Sequence, residues 1–175
     1  MTSVTQVSAQ QYHENLRRFD FRRDMFAVAD LIELCFEDRL DEDGQRLIKQ
    51  FRSIARERRG FTLGISTPKQ FPLTLAGFVW RENSSLIGNL NLVPIRGSGE
   101  RAYLIANVAV HPDHRRKGIA RALTDAAISC LTEKQVAWCW LQVDDDNQSA
   151  INLYEQSGFS EQARTTTWQC DPPTA

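Results

Sequence analysis

The chain has 175 residues, 42% of them hydrophobic, and a formal net charge of −1 from 21 basic and 22 acidic residues. This length suits one domain with a sizeable core. The balanced charge argues against nucleic acid as an obligatory partner. Neither a secretion signal nor an apolar run of about 18 residues is present. These features predict a cytoplasmic protein without a membrane partner.

The four cysteines are scattered and form neither a CxxC pair nor a metal-like pattern with histidine; they are Cys35, Cys130, Cys139 and Cys170. Three of them fall in apolar runs. Free cysteines of this kind are typical of small buried side chains in a reducing compartment. The sequence therefore predicts no metal site.

The first third of the chain predicts one strand and two helices. Residues 1–14 are polar and aperiodic, which indicates a loose arm, and residues 16–21 suit a short strand. Asp24 is expected to cap a helix whose apolar positions keep a 3.6-residue period as far as Phe36. A second helix should begin near residue 43 and end at Gly60, with its inward positions at Leu47, Phe51, Ile54 and Ala55. Residues 61–72 contain Gly and Pro and indicate a connecting or substrate-side loop.

From residue 73 the apolar period changes to two, which is typical of strands. Residues 73–81 and 85–93 predict a hairpin around the turn ENSS, with Leu86, Leu90 and Leu92 on one face of its second strand. The almost wholly apolar segment 102–110 predicts a central strand. A helix, the strand 136–143, a helix closed by Gly158 and a last strand at 163–170 follow, before the tail at 171–175. The helix after residue 118 should bury Ile119, Leu123, Ala127, Cys130 and Leu131.

This order of elements predicts an α+β fold with a mixed sheet. A strand, a helix and a second strand follow one another in the middle of the chain, and they imply a right-handed parallel crossover beside the antiparallel hairpin. No repeat or domain-boundary linker is apparent.

A basic turn precedes the helix at residue 119. It reads Arg115-Arg116-Lys117-Gly118-Ile119-Ala120, with Arg121 one residue further and His111 and His114 just before it. A helix N-terminus offers unpaired N–H donors, and small side chains let an anion approach them. The turn suits a pyrophosphate, although a solvated basic face, a protein-docking patch or a nucleic-acid contact would also explain it. Its spacing is not that of a nucleotide P-loop.

Three segments resemble motifs of the GCN5-related N-acetyltransferase (GNAT) superfamily, and they follow one another along the chain in the order that this family has. The basic turn after the strand NVAV resembles the acetyl-CoA signature [Gln/Arg]-x-x-Gly-x-[Gly/Ala] of that family. LQVDDDNQSAINLYEQSGF resembles its Leu-x-Val…Asn-x-x-Ala-x-x-Leu-Tyr-x-x-x-Gly-Phe pattern, and LRRFDFRRDMFAVADLIELCFED fits its opening strand and helix. The resemblance spans residues 16–169. In motif it is closest to the ribosomal-protein N-terminal acetyltransferase type.

The resemblance implies the fold and the activity. The fold is α+β in three layers, with a mixed, mostly antiparallel sheet of six to seven strands flanked by about four helices, in one domain at residues 15–170. The activity is transfer of an acetyl group from acetyl-CoA, without a metal, to a primary amine on a peptide N-terminus, a lysine or a small molecule. The family transfers by direct attack in a ternary complex, and a homodimer is possible.

The resemblance also implies roles for individual residues. Backbone groups of Val108, Ala109 and Val110 bind the pantetheine arm, and Asn147 contacts it near its end. Tyr154 is the general acid for the CoA thiolate. The pyrophosphate is bordered by Arg115 and held by the amides of Arg116, Lys117, Gly118, Ile119, Ala120 and Arg121. From pattern alone, Tyr154 is also explained as a core tyrosine and Asn147 as a helix cap.

The general base is absent from the expected position. Gln142 stands where related N-terminal acetyltransferases often carry a glutamate, and an amide cannot accept the proton; Asn107 cannot serve either. The candidate replacements for this general base belong to no motif; they are Asp144, His111, Glu33 and Glu37. The acidic segment 37–43 would attract a cationic amine. A non-catalytic acyl-CoA-binding sensor or interaction module is the alternative to an enzyme.

Overall fold

The computed structural model describes residues 14–36, 45–46, 48–53, 76–95 and 100–165. The chain divides into two compact units, Met1–Gln142 and Val143–Ala175. Several predictions lie outside the described residues: the arm before residue 14, the inward positions Leu47, Ile54 and Ala55, the helix end at Gly60, the loop 61–72 and the tail. The single domain therefore stays a prediction.

The first unit contains a five-stranded sheet among the described residues. In chain order its strands are β1 (Leu16–Arg18), β2 (Ala76–Glu82), β3 (Ser85–Ile95), β4 (Ala102–Val110) and β5 (Trp138–Leu141), and they are adjacent in that same order. The first three pairings are antiparallel, and β4 and β5 are parallel. The mixed sheet and the parallel strand pair of the central crossover are confirmed.

The sheet has fewer strands than the six to seven expected. Residues 163–165 of the predicted last strand are not in a strand, and residues 166–170 lie outside the described part.

The hairpin turn between β2 and β3 lies where the sequence predicted it. Asn83 and Ser84 have φ of 47° and 71°, the positive values that a two-residue turn between right-twisted strands requires.

The described residues form four helices. They are α1 (Phe21–Phe36), α2 (residues 45–46 and 48–53), α3 (Ile119–Glu133) and α4 (Gln148–Gln156), with a short 3-10 turn at Pro112–His114. The number agrees with the expectation. The helix α4 belongs to the second unit, whereas the others belong to the first.

The start of α1 corrects the sequence prediction. The helix begins at Phe21 instead of after Asp24, and Asp20 caps it by accepting the Arg22 amide at 2.8 Å. Asp24 lies one turn inside, where its carboxylate accepts the amide of Asp20 at 2.8 Å. The two carboxylates thus satisfy two backbone amides at the start of α1, an arrangement similar to a capping box. The alternation of FDF made these residues look like a continuing strand.

The first unit packs as three layers. On one side of the sheet, α1 and α2 enclose a core with Val79 of β2; its other members are Met25, Val28, Ala29, Ile32, Ile48 and Phe51. On the other side, α3 buries the predicted residues Ile119, Leu123, Ala127, Cys130 and Leu131. A Cβ on Gly88 would lie 2.8 Å from Ile119 Cγ2, so α3 sits directly on β3.

The second unit is described over residues 143–165. The Asn147 side chain caps α4 by accepting the Ala150 amide at 3.1 Å, and Gly158 follows the end of the helix with φ of 92°. Both capping predictions are confirmed. Among the described residues of either unit, no helix combines the length and the apolar character needed to cross a membrane.

Candidate active site

The strand β4 outruns its neighbour β5. Their pairing ends at Ile105 and Leu141, while β4 continues to Val110. Among the described residues, no strand pairs with positions 106–110 on the β5 side. On the other side the His111 amide donates to Ile87 O at 2.8 Å, so the backbone groups of Val110 point away from β3. This open edge can receive an extended ligand as an added strand.

A β-bulge lies in the middle of that edge. The register passes from Asn89 opposite Ala109 to Asn91 opposite Ala106, so Asn107 and Val108 together face one residue of β3. Asn107 has φ of 53°, in the left-handed region that asparagine tolerates better than most residues. A bulge bends the strand and removes its peptide groups from the regular ladder.

Three asparagines hold the bulge. Asn89 Nδ2 donates to the backbone carbonyl of Asn107 at 2.8 Å and to Asn91 Oδ1 at 3.0 Å. Asn107 Nδ2 donates to the same Asn91 oxygen at 3.1 Å. Asn89 and Asn91 are completely buried. We call Asn89, Asn91 and Asn107 the asparagine cluster.

The two buried members of this cluster, Asn89 and Asn91, were not predicted as functional residues from the sequence. Their signal is the alternation GNLNL, which puts two amides on the sheet face that carries Val79 and the α1 core. A polar-out strand has the same pattern, and for that reason the spacing alone did not reveal a buried network.

The carbonyl of Val110 already has two donors within the protein. Cys35 Sγ lies 3.3 Å from it and Arg115 Nε lies 3.2 Å from it. Burial raises the pKa of the Cys35 thiol against the opposing effect of Arg115, so the sulfur keeps its proton and donates. The end of α1 is thereby joined to the end of β4 and to the basic turn.

The basic turn leads into the uncapped N-terminus of α3. Arg116 and Gly118 have φ of 62° and 80°, and no side chain caps the helix. The first helical bond runs from the Ala122 amide to Gly118 O at 3.0 Å, so the amides of Ile119 and the next two residues precede the intrahelical ladder. Nothing lies within 4 Å of a Cβ built on Gly118. Backbone donors, the helix dipole and exposed cations suit an anionic group.

Two of the candidate replacements for the general base already interact with other residues. Glu33 is ion-paired with Arg52 at 2.6 Å, and His111 Nδ1 accepts the Asp113 amide at 3.3 Å. Gln142 is exposed just beyond β5. Asp144 belongs to the second unit, and Glu37, like the acidic segment, lies outside the described residues. The described residues contain no cluster of three side chains able to hold a metal ion.

Tyr154 lies on α4 in the second unit. Its side chain is buried, with 8% exposed, and its ring meets Phe159 edge to face at a centroid distance of 6.0 Å. Burial raises the pKa of the phenol, which keeps the hydroxyl protonated at neutral pH. Chemically, this is a hydroxyl donor in an apolar setting.

A profile of the acetyltransferase (GNAT) family matches residues 27–159. The chain belongs to the GNAT family. The fold and the family expected from the sequence are thus confirmed. The residue roles implied by the resemblance stay predictions.

Curated relatives of this GNAT protein include two kinds of acetyltransferase. A [ribosomal protein bS18]-alanine N-acetyltransferase of Escherichia coli (strain K12) is 47% identical over 55 residues, which are 31% of this chain and 37% of that protein. A mycothiol acetyltransferase of Kocuria rhizophila is 35% identical over 103 residues, or 58% of this chain and 30% of that protein. The chain spans about a third of the length of these relatives.

Solved structures share the fold at low sequence identity. A ribosomal-protein-alanine N-acetyltransferase from Brucella melitensis biovar Abortus 2308 matches with a TM-score of 0.59 and 20% identity, over 89% of this chain and 99% of its own. An aminoglycoside acetyltransferase from an uncultured soil metagenomic sample, solved in complex with sisomicin, gives 0.62 and 18% over 89% and 95%. At these identities the likeness establishes the fold alone.

Proposed function

We propose that this GNAT protein is an acetyl-CoA-dependent N-acetyltransferase that acts on a primary amine by direct attack in a ternary complex. The observation that carries the proposal is the open edge of β4, which runs straight into the basic turn and the uncapped start of α3. An extended arm ending in a pyrophosphate is the ligand that matches both features.

In this proposal the cofactor lies along that edge. Backbone groups of Val108 and Val110 bind the pantetheine arm, since the strand alternation turns those of Ala109 toward Asn89 of β3. Val110 uses its N–H because its carbonyl accepts from Cys35 and Arg115. The amides from Arg116 to Arg121 hold the pyrophosphate, and Arg115 borders it. Asn147 contacts the pantetheine end while it caps α4. This arrangement is supported by backbone donors that can approach an anion closely.

The reaction then needs one bond made and one broken. The amine nitrogen attacks the thioester carbonyl carbon, the new C–N bond forms, and the C–S bond breaks as the tetrahedral intermediate collapses. The Tyr154 hydroxyl gives its proton to the departing CoA thiolate, and the proton that the attacking nitrogen sheds as it becomes an amide restores the phenol. The raised pKa of Tyr154 supports this role because the acid must still carry its proton when the thiolate leaves.

The amine must lose its own proton to become nucleophilic. A lysine amine, with a pKa of about 10.4, is almost wholly protonated at neutral pH, whereas an α-amine titrates near 7.7–8.0. With an amide at Gln142, we propose that this proton passes to water instead of to a carboxylate on β5. The acceptor needing least help is then an amine of low pKa, such as a peptide N-terminus.

The names of the relatives support an amine acceptor without deciding which one. One is named a ribosomal protein bS18-alanine N-acetyltransferase and another a mycothiol acetyltransferase, and a structural neighbour is an aminoglycoside acetyltransferase solved in complex with sisomicin. A peptide N-terminus, a lysine or a small amine all stay within the proposal. We also propose a cytoplasmic location, in keeping with Cys35, Cys130 and Cys139, which are free thiols.

The test is CoA release from acetyl-CoA with a panel of peptides, polyamines and small amines, comparing the parent with the Tyr154→Phe variant. We expect turnover to fall roughly 100-fold, the size of a general-acid contribution, while the Kd for acetyl-CoA changes little. Tyr103→Phe on β4 is the matched control and should keep the parent's turnover.

Two results would contradict the proposal. If acetyl-CoA binds and no acceptor in the panel is acetylated, the chain is a non-catalytic acyl-CoA-binding module. If acetyl-CoA does not bind at all, both readings of the open edge are wrong.

A further inference from the structure

The peptide that joins Asn107 to Val108 has a direction set by a side chain. Its carbonyl points at Asn89 Nδ2, which donates to it at 2.8 Å. The described chain contains no cis peptide bond. In a planar trans peptide the C=O and the N–H point in opposite directions. The Val108 N–H therefore points away from the Asn89 side chain.

The register confirms that this N–H is outside the regular ladder. Asn107 and Val108 are both skipped between the pairs at Ala106 and Ala109. If β4 had no bulge, backbone hydrogen bonds to β3 would orient these peptide groups. At the bulge Asn89 does so instead, because its amide is the donor to the Asn107 carbonyl.

We propose that Asn89 is a positioning residue that aims the Val108 N–H at the thioester carbonyl oxygen of acetyl-CoA. The inference rests on the proposed function: with the pyrophosphate at the start of α3 and the pantetheine arm running back along β4, the acetyl end of the cofactor reaches Val108. When the amine attacks, that oxygen gains negative charge, and a donor held in place beforehand stabilises it. Asn91 supports the arrangement by binding both Asn89 and the Asn107 side chain.

The loss of stability caused by the asparagine cluster also supports a positioning role. Among the described residues, Asn89 Oδ1 and Asn91 Nδ2 are buried without a hydrogen-bond partner. Each such atom costs about 1–3 kcal/mol of stability. An apolar pair would fill this face of β3 without that cost. The cluster thus serves the geometry of the bulge and not the stability of the core.

The left-handed conformation of Asn107 adds a second restraint. At φ of 53° most side chains are strained, by roughly 1–2 kcal/mol in the left-handed region. The Asn107 side chain is tied to Asn91 at 3.1 Å, so the residue that makes the bulge is bound through both its backbone and its side chain. Rotation of the peptide would break the bond to Asn89.

The direct test is the infrared frequency of acetyl-CoA labelled with ¹³C at the thioester carbonyl and bound to the protein. A carbonyl that accepts a hydrogen bond absorbs at a lower frequency than a free one. We expect this lowering in the parent and its loss in Asn89→Ala. In steady-state assays with the best amine, kcat should fall roughly ten-fold or more, since oxyanion donors act on the transition state, and the Kd for acetyl-CoA should stay within about two-fold, well under the 1.4 kcal/mol of a ten-fold change.

Two further variants separate positioning from packing. Thr124→Val removes a buried side-chain hydrogen bond on α3, from Thr124 Oγ1 to Ala120 O, and should leave the carbonyl frequency unchanged. Asn89→Asp keeps the shape of the side chain but can donate only when its carboxyl is protonated. The frequency shift should therefore return in this variant as the pH is lowered.

The outcomes distinguish this inference from the proposed function. If Asn89→Ala binds labelled acetyl-CoA with the parent's frequency shift, the positioning role is wrong even though the enzyme works. An equal loss of shift in Thr124→Val would also overturn it, since a general loosening of the fold would then be the cause. A parent that binds acetyl-CoA without any shift refutes the inference alone, and a parent that binds no acetyl-CoA refutes the proposed function with it.

Discussion

At the scale of single residues, buried polar groups are where this chain departs most from a simple alternation of apolar and polar positions. Asp24 is completely buried, yet it accepts from Arg23 at 2.9 Å, from Arg81 at 2.9 Å and from the Asp20 amide at 2.8 Å. Burial by itself would raise the pKa of this carboxyl, but the three donors outweigh it and hold the pKa below its ordinary value. The charge joins the start of α1 to the end of β2.

The sign of that shift predicts how stability depends on pH. A carboxyl whose pKa is lowered in the folded state contributes stability above its unfolded pKa of about 3.9, and this is lost as the pH falls through the folded value. Asp24→Asn should lower the free energy of unfolding at pH 7 by about 3 kcal/mol, because two guanidinium groups lose their anion. Urea unfolding at several pH values measures both effects. If the variant loses stability below pH 4 as steeply as the parent, Asp24 is not the group responsible.

At the scale of elements, the junction between β4 and α3 depends on glycine in the left-handed region. Gly118 has φ of 80° and Gly158, after α4, has φ of 92°; a Cβ on either would meet open space. Any cost of a side chain at these positions is therefore conformational and not steric. Only Gly118 adjoins the amides that we assign to the pyrophosphate.

This pair gives a matched experiment. Gly118→Ala and Gly158→Ala should each lower the free energy of unfolding by about 1 kcal/mol, the cost of a left-handed alanine. Only Gly118→Ala should also weaken acetyl-CoA binding, by roughly ten-fold or 1.4 kcal/mol, because its methyl group occupies the approach to the amides. Thermal melts and calorimetric titration with acetyl-CoA separate the two effects. Equal affinities in the two variants would remove the pyrophosphate from this turn.

At the scale of the whole molecule, the described sheet of the first unit lies between two helical layers that are held by different kinds of contact. On the α1 and α2 side, an apolar core is joined by ion pairs between the two helices, from Arg52 to Asp30 at 2.8 Å and to Glu33. The α3 side relies on close contact at Gly88, where a Cβ would come within 3.0 Å of Trp80 Cβ and 2.8 Å of Ile119 Cγ2. The position of α3, and with it the anion site, depends on that glycine.

Gly88→Ala should therefore cost about 2 kcal/mol in the free energy of unfolding, the range expected of an overpacked core. Ile119→Ala removes one of the two closest atoms, so the double variant should be less destabilised than the sum of the singles, by about 1 kcal/mol. Chemical denaturation of the four proteins in this cycle measures the coupling. Strict additivity would mean that α3 does not bear on Gly88.

The sequence by itself determined the features that depend on neighbouring residues. The buried face of α3, the extent of β4, the turn at Asn83 and Ser84, and the caps of α4 follow from periodicity and from backbone preferences, and all were predicted correctly. The crossover from β4 to β5 was predicted because a strand, a helix and a strand in that order are typical of a parallel pair. The spacing of the motifs indicated the GNAT family from the sequence alone.

Only the tertiary structure decided which polar residues are buried and what they do there. Asp24 meets Arg81 across 57 positions of the chain, and Asn89 meets the Asn107 carbonyl across 18. An asparagine in an alternating strand looks the same whether its face meets water or a helix. Burial is a property of the partner that packs on that face, and that partner comes from a distant part of the chain. For this reason the asparagine cluster and the bulge that it holds could be read only from the folded molecule.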